Sequence, residues 1–266
     1  MSEWTPPEVI GFCAPEEKSL QVIELFDSLR IPLLPSQPAQ SWVLQFNQDV
    51  LTLIRPDKVS VRVDFTSGKA KHRSAEAGHG AGVLRKALGL ATFQKRHDRL
   101  PIVVDATGGW GQDAWAVASL GCSITVIEQH PLVHALLENA IERAKNDSLT
   151  TETAERISLI NADAQESLSH VSAEVIYLDP MYPQRQRKKA DSKKGMQFLH
   201  TLLGPSDETR SEMLLKAALA GLALRVVVKR PKGADALEPP ADWQGQRTTI
   251  ESPNTRYDVY LPQQRD

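Results

Sequence analysis

The pattern of hydrophobic and polar positions divides the chain into two parts near Arg99. Before that residue the apolar stretches are short and separated by prolines, and a helical period appears in only two segments. Strands are predicted at residues 42–46, 50–54 and 59–65, and helices at residues 16–29 and 80–88. We therefore expect residues 1–99 to form a small α+β domain.

After residue 99, apolar strands alternate with amphipathic helices. Strands are predicted at residues 101–105, 123–128, 157–161, 174–178 and 224–229, and helices at 113–120, from 131 onward and at 207–222. Apolar strands separated by helices indicate a parallel sheet covered on both faces. Residues 247–251 and 256–261 flank a Ser-Pro-Asn turn and predict a terminal antiparallel hairpin. Residues 100–266 are thus predicted to form the α/β sheet of a Rossmann-like class I methyltransferase.

The composition is that of an ordinary globular chain. It has 266 residues, 41% of them hydrophobic, and a formal net charge of −2. No apolar run approaches the roughly 20 residues of a membrane span, and the first residues lack the pattern of a signal peptide. Cys13 and Cys122 have no metal-ligand spacing around them. We therefore expect a cytoplasmic protein with no membrane association and no metal, and we infer no obligatory protein partner.

The turn after the first strand of the second part is rich in glycine. It reads Val-Val-Asp-Ala-Thr-Gly-Gly-Trp-Gly-Gln-Asp, where Asp105 ends the strand and Gly109 and Gly111 allow a tight turn. Such a turn lets the backbone approach a bound nucleotide closely. By itself it does not separate an S-adenosylmethionine site from a dinucleotide site or from a plain turn.

Two acidic residues follow the next two strands. Glu128 lies 23 positions after Asp105, close to the roughly 20-residue spacing at which a carboxylate accepts hydrogen bonds from a ribose. Asp163 follows the third strand, where methyltransferases place a side chain against adenine, although a helix N-cap is an equal interpretation of this residue. Together with the glycine turn they predict a nucleoside-containing cofactor at one edge of the sheet.

The segment Val-Ile-Tyr-Leu-Asp-Pro-Met-Tyr-Pro carries the predicted catalytic residues. It matches the Asp/Asn-Pro-Pro-Tyr/Phe signature of amino methyltransferases, with Met181 in place of the second proline. Asp179 and the carbonyl of Pro180 can accept the two N–H groups of an exocyclic amine, and Tyr182 can stack on the base. The alternative is that Asp-Pro is a turn and Tyr182 a packing aromatic.

Three basic segments predict contacts with a polynucleotide, although each alone would more often be a solvated surface. The first two lie after predicted strands, and the third leaves the strand at 224–229. Their members are Lys71, His72 and Arg73; Arg185, Arg187 and Lys188; and Lys229 and Arg230. Because the whole chain is nearly neutral, we expect these local charges to hold RNA.

From about residue 59 onward the sequence resembles the bacterial 16S ribosomal RNA guanine-N2 methyltransferase J family. The resemblance rests on Val-Val-Asp-Ala-Thr-Gly-Gly-Trp-Gly-Gln-Asp-Ala, Tyr-Leu-Asp-Pro-Met-Tyr-Pro and Arg-Val-Val-Val-Lys-Arg-Pro. It implies S-adenosylmethionine-dependent methylation of a guanine in 16S ribosomal RNA or the small ribosomal subunit. It also implies cofactor contacts at Gln112, Asp113, Glu128, Gln129, Asp163, Ala164 and Asp179. The family usually has Arg at positions 112 and 129 and Ser at 163, so this chain departs from it there.

Other interpretations of the same residues remain at this stage. An adenine-N6 or a protein-glutamine-N5 methyltransferase would use the same Asp-Pro-x-Tyr acceptors. A nicotinamide oxidoreductase could be built on the same sheet, but the first turn lacks a clean G-x-G-x-x-G. A catalytically silent RNA-binding module would not need the glycine turn and the ribose carboxylate. The basic segments favour an RNA substrate over a protein.

Overall fold

The computed structural model describes residues 6–35, 40–67, 79–182, 193–205, 207–253 and 255–263. Five strands near the N-terminus form one sheet: β1 (Val9–Cys13), β2 (Leu33–Leu34), β3 (Trp42–Asn47), β4 (Val50–Ile54) and β5 (Ser60–Val61). Their order is β2-β1-β3-β4-β5, with parallel pairing around β1 and antiparallel pairing from β3 onward. The sheet confirms strands at 42–46 and 50–54, and β1 is an additional strand that the apolar pattern did not predict.

Two predicted elements of this region are shorter than expected. Helix α1 is Leu20–Ser28 rather than 16–29, because Ser19 is its N-cap and accepts the Val22 N–H at 3.3 Å, while Pro15–Glu17 is a separate 3₁₀ turn. Within the described residues, the strand predicted at 59–65 is paired only at β5, where Ser60 and Val61 lie opposite Ile54 and Leu53 of β4. Beyond β5, Val63 and Phe65 are buried from irregular backbone.

Two helices connect this sheet with the second one. They are α2 (His79–Ala87), which confirms the helix predicted at 80–88, and α3 (Leu90–His97). Arg225 donates a hydrogen bond from Nη1 to the carbonyl of Ala87 at 2.9 Å, so the end of α2 is tied to the second sheet. The domain boundary proposed near residue 99 falls between α3 and the next strand.

Seven strands form the second sheet: β6 (Val103–Asp105), β7 (Ile124–Ile127), β8 (Ile157–Ile160), β9 (Val175–Leu178), β10 (Arg225–Pro231), β11 (Gly245–Glu251) and β12 (Thr255–Pro262). Their order is β11-β12-β10-β9-β6-β7-β8. Strands β6 to β10 are parallel to one another, and β12 lies antiparallel between β10 and β11. This confirms the predicted mostly parallel sheet with a terminal antiparallel hairpin.

The helices that follow these strands are α4 (Gln112–Ser119), α5 (Pro131–Lys145), α6 (Thr151–Ala154), α7 (Ala164–Ser167), α8 (Lys193–Leu203) and α9 (Glu208–Ala220). One hydrophobic core includes side chains from both sheets. The ring of Phe65 stacks on Trp115 with 4.4 Å between centroids, and Asn139 of α5 accepts the Leu51 N–H at 3.0 Å. Among the helices in the described ranges, none is long and apolar enough to cross a membrane.

Candidate functional site: the carboxyl ends of the parallel strands

The strand order locates a crevice beside β6. From β6 the chain first builds outward through β7 and β8, and then returns to the other side of β6 with β9 and β10. Open α/β sheets bind ligands at such a reversal, outside the carboxyl ends of the strands. The glycine turn after β6, Glu128 after β7 and Asp179 after β9 all lie at this edge.

The backbone of the turn between β6 and α4 requires its glycines. Gly109 and Gly111 have φ angles of +50° and +68°, in the left-handed region that other residues rarely adopt. A Cβ at Gly111 would lie 2.5 Å from Leu137 Cδ1, and one at Gly108 would lie 2.9 Å from Val126 Cγ1. The turn therefore lies tightly against β7 and α5, which explains the glycines structurally as well as functionally.

Glu128 is a buried carboxylate held by backbone donors. Its side chain is only 6% exposed; Oε2 accepts the Gly109 N–H at 2.7 Å and Oε1 accepts the His130 N–H at 2.8 Å. Burial raises the pKa of Glu128, and these backbone hydrogen bonds act in the opposite direction. Each carboxylate oxygen keeps a further lone pair, so the group can still accept hydrogen bonds from hydroxyls.

Asp163 and Gln129 are joined by an arginine that the sequence analysis missed. Asp163 caps α7, with Oδ1 accepting the Gln165 N–H at 2.8 Å, while its Oδ2 pairs with Arg210 at 3.0 Å. The same guanidinium donates to the Gln129 side chain. Arg210 lies on α9, far away in sequence and outside any motif, so the sequence carried no signal for it.

Asp179 is tied to the end of β6 through Thr107. Its N–H donates to Thr107 Oγ1 at 2.7 Å, and the Thr107 hydroxyl donates to Asp105 Oδ1 at 3.0 Å. The Thr107 N–H also donates to Asp105, at 2.9 Å. Asp105 is 2% exposed, and burial raises its pKa to about 7. The glycine turn and the Asp-Pro motif are therefore parts of one hydrogen-bonded unit.

The structure places Lys229, one of the predicted RNA contacts, between two carboxylates. Its ammonium lies 2.9 Å from Asp179 Oδ2 and 2.7 Å from Asp113 Oδ2, and Tyr177 donates its hydroxyl to Asp113 at 2.7 Å. Burial raises the pKa of Asp179 to about 6, and Lys229 opposes that rise. Burial also lowers the pKa of Lys229, but attraction to both carboxylates outweighs this and raises it above its ordinary value.

Arg230, the other predicted RNA contact on this strand, is buried in the structure. Its side chain is 0% exposed and pairs with Glu208 at 2.6 Å, and its guanidinium carbon lies 4.6 Å from the centre of the Tyr182 ring. The strand was predicted to end at Lys229, whereas pairing with β12 extends β10 to Pro231 and keeps Arg230 within the sheet.

The remaining predicted site residues differ in their exposure, and six of them are not described by the structure. Gln112 is exposed at the first turn of α4, Ala164 is buried, and Pro180 and Tyr182 are partly buried after β9. Six predicted RNA contacts lie outside the described residues: Lys71, His72, Arg73, Arg185, Arg187 and Lys188. Among the residues that the structure does describe, no group of three or more His, Cys, Asp or Glu side chains could hold a metal ion.

The strand order, the glycine turn and the acidic end of β7 define a class I S-adenosylmethionine-dependent methyltransferase. The model of the SAM-dependent methyltransferase family SAM_MT matches residues 28–262. The ribosomal RNA small subunit methyltransferase J of Hydrogenovibrio crunogenus is 44% identical over 218 residues, covering 79% of this chain and 73% of the relative. The chain belongs to the ribosomal RNA small subunit methyltransferase J family.

Two further comparisons cover almost the whole chain. The ribosomal RNA small subunit methyltransferase J of Chromobacterium violaceum is 33% identical over 258 residues, covering 94% of this chain and 95% of the relative. The crystal structure of a SAM-dependent methyltransferase from Neisseria gonorrhoeae superimposes with a TM-score of 0.72 at 30% identity, covering 96% of this chain and 97% of that one. The similarity therefore includes the N-terminal sheet as well as the cofactor-binding sheet.

The residues at the crevice fit S-adenosylmethionine. The glycine turn leaves backbone open to close approach, and the fixed Glu128 carboxylate can accept from a ribose diol. The sulfonium and ammonium groups of the cofactor are cations, and Asp113 and Asp179 bring two carboxylates to the same edge. This set of acceptors and negative charges matches the chemistry of the cofactor.

Proposed function

We propose that this protein transfers a methyl group from S-adenosylmethionine to the exocyclic N2 amino group of a guanine in small-subunit ribosomal RNA. The observation that carries the proposal is the position of Asp179, which follows β9 and is hydrogen-bonded to the glycine turn through Thr107. The names of the relatives support ribosomal RNA of the small subunit as the substrate. The resemblance of the Asp-Pro-Met-Tyr motif to guanine-N2 methyltransferases supports the atom.

In this proposal Glu128 and the glycine turn hold the nucleoside part of the cofactor. Glu128 would accept hydrogen bonds from the ribose hydroxyls, because its carboxylate is already fixed by Gly109 and His130. Arg210 fixes the neighbouring side chains of Gln129 and Asp163, next to where we place the adenine. The remaining proposed cofactor contacts are Asp105, Gly111, Gln112, Asp113, Ala164 and Asp179.

Asp179, Pro180 and Tyr182 would position the acceptor amine. An exocyclic amine is a poor nucleophile because its lone pair is delocalised into the ring. Hydrogen bonds from its two N–H groups to the Asp179 carboxylate and the Pro180 carbonyl favour a pyramidal nitrogen with an available lone pair. When bound, S-adenosylmethionine would supply an electrophilic methyl group, and the amine would lose one proton to solvent once it is methylated. Tyr182, with Arg230 against its ring, would stack on the base.

We assign RNA binding to the other two basic segments, because Lys229 and Arg230 are paired with carboxylates within the protein. These are Lys71 to Arg73 and Arg185 to Lys188, and the second directly follows the catalytic motif in sequence. Charge reversal at Arg185, Arg187 and Lys188 should weaken RNA binding and flatten its salt dependence, because fewer counterions are released. Binding measured over a series of salt concentrations checks this, with cofactor affinity as the control. An unchanged salt slope would exclude the segment as the RNA site.

The experiment that tests the proposed function is methyl transfer from labelled S-adenosylmethionine to ribosomal RNA and to subunits from a strain lacking the protein. The product nucleoside is then identified by mass spectrometry. We expect the label as N2-methylguanosine in small-subunit RNA. A label in N6-methyladenosine would show that the acceptor is adenine and not guanine. A label only in protein glutamine would refute an RNA substrate.

A further inference from the structure

The two carboxylates at the catalytic edge come from different elements and share one cation. Asp113 lies in the first turn of α4, Asp179 follows β9, and the Lys229 ammonium lies within 2.9 Å of an oxygen on each. Within the described residues these are the ion pairs recorded for Lys229. A lysine placed in this way determines the distance and the orientation between the two acidic groups.

The protein holds Lys229 in this position through the sheet. Pairing of β10 with β12 places Lys229 opposite Tyr257, a buried residue, so the backbone of Lys229 cannot move outward without breaking that ladder. Tyr177 fixes the other side by donating its hydroxyl to the same Asp113 oxygen that contacts Lys229. The lysine is therefore bound in place rather than free to reach a phosphate in solvent.

The charges around Asp179 disfavour its ionised form unless Lys229 is present. Burial and the Asp113 carboxylate raise its pKa and Lys229 lowers it, and the resulting pKa is about 6. Asp105 on β6, Tyr177 on β9 and Tyr257 on β12 are the other titratable groups that interact with this cluster. None of these three is a cation, so Lys229 supplies the compensating positive charge.

We propose that Lys229 is a positioning residue for methyl transfer: its ammonium holds Asp113 and Asp179 together and keeps Asp179 ionised, so that Asp179 can accept hydrogen bonds from the amine. The inference rests on the proposed function for the identity of the amine. It does not make Lys229 a base, because a protonated lysine has no lone pair with which to accept a proton.

The test compares Lys229→Met and Lys229→Arg with Lys232→Met as the matched control. Lys232 lies three residues further along, is exposed, and pairs only loosely with Glu251 at 3.3 Å. Transfer rates at saturating RNA are measured from about pH 5 to about pH 9. We expect Lys229→Met to lower kcat roughly 10- to 100-fold near neutral pH and to shift the acid limb of the pH–rate profile to higher pH. Lys229→Arg should restore most of the rate, and Lys232→Met should behave as wild type.

A second readout does not depend on activity. The carboxyl ¹³C resonance of Asp179 in aspartate-labelled protein, assigned with Asp179→Asn, reports ionisation of this group directly. We expect its titration midpoint to rise in Lys229→Met and to stay near the wild-type value in Lys229→Arg. If Lys229→Met does not fold, Lys229→Gln is used for the same titration.

The two readouts separate this inference from the proposed function. If wild-type protein methylates no RNA but the Asp179 midpoint rises in Lys229→Met, the proposed function fails and the electrostatic role of Lys229 stands. If wild-type protein is active and neither the acid limb nor the Asp179 midpoint moves in Lys229→Met, Lys229 is not the positioning residue. A rate loss with an unmoved midpoint would also overturn the proposal.

Discussion

Glu128 and Asp179 are both partly or wholly buried carboxylates at the carboxyl edge of the same sheet, yet the protein stabilises them differently. Glu128 accepts two backbone N–H groups, at 2.7 Å and 2.8 Å, whereas Asp179 pairs with the Lys229 ammonium at 2.9 Å. Backbone donors are neutral and fixed, while a lysine is charged and lies on a flexible side chain. Glu128 is thus suited to hold neutral hydroxyls, and Asp179 is suited to a step in which charge changes.

The largest expected effect comes from removing the carboxylate on the Asp179 side. Asp179→Ala should reduce methyl transfer by about 10²-fold or more, because it deletes an acceptor of the amine N–H groups and exposes Lys229 to Asp113 alone. Single-turnover assays with excess enzyme measure this loss. Asp179→Asn keeps one acceptor oxygen, so its rate of methyl transfer should lie between those of wild type and Asp179→Ala. Near-normal turnover in Asp179→Ala would contradict the assigned mechanism.

The next effect should appear in cofactor affinity rather than in chemistry. In Glu128→Gln an amide N–H must face the N–H of Gly109 or of His130, so one hydrogen bond is lost, at a cost of about 1–3 kcal/mol. We expect S-adenosylmethionine and S-adenosylhomocysteine to bind roughly 10- to 100-fold more weakly, and by the same factor, since both carry the ribose. Calorimetry measures both, with Glu138→Gln on the exposed face of α5 as the control. A loss confined to one of the two ligands would remove Glu128 from the ribose.

The smallest effect concerns Asp105, which ends β6 between the strands that precede Asp179 and Glu128. In the described structure it has neither the paired cation of Asp179 nor the two backbone N–H donors of Glu128. Burial raises its pKa to about 7, above the value of an unfolded chain, so its contribution to stability is present at low pH and is lost as the pH rises through about 7. Asp105→Asn keeps the acceptor for Thr107 and removes that dependence. Its free energy of unfolding at pH 8 should exceed that of wild type by about 1–2 kcal/mol, with little difference near pH 5.

Chemical denaturation at the two pH values measures this difference, and Asp242→Asn, at an exposed position, is the control. Other titrating groups affect wild type and variant alike, so they cancel in the comparison. If Asp105→Asn were less stable than wild type at pH 8, the protein would stabilise the ionised carboxylate instead of disfavouring it, and the raised pKa would be contradicted.

The local pattern along the chain was sufficient to predict the parallel part of the second sheet, because strands β6 to β10 are largely apolar and alternate with helices. It failed where pairing between distant segments decides the outcome. The extent of β10 depends on β12, so Arg230 was expected beyond the strand although it lies within it. Phe65 was expected in a strand, but it is buried by stacking on Trp115 from a stretch without sheet pairing.

The candidate site shows the same division. Asp179, Glu128 and the glycine turn follow strands directly, so their positions could be predicted from the order of the strands along the chain. Arg210 and Lys229 reach the site from α9 and from within β10, and only the folded chain brings them there. The residues proposed to touch the reacting groups therefore carry a clearer signal in the sequence than those proposed to orient them.

The measurement that tests the account most directly is the crystal structure of the protein with S-adenosylhomocysteine bound. We expect the ribose hydroxyls to be hydrogen-bonded to Glu128 and the thioether to lie on the side of Asp179 and Lys229. The two carboxylates would then contact different parts of the cofactor. A ribose bound away from Glu128, or a thioether remote from Asp179, would contradict the division of roles between the two carboxylates.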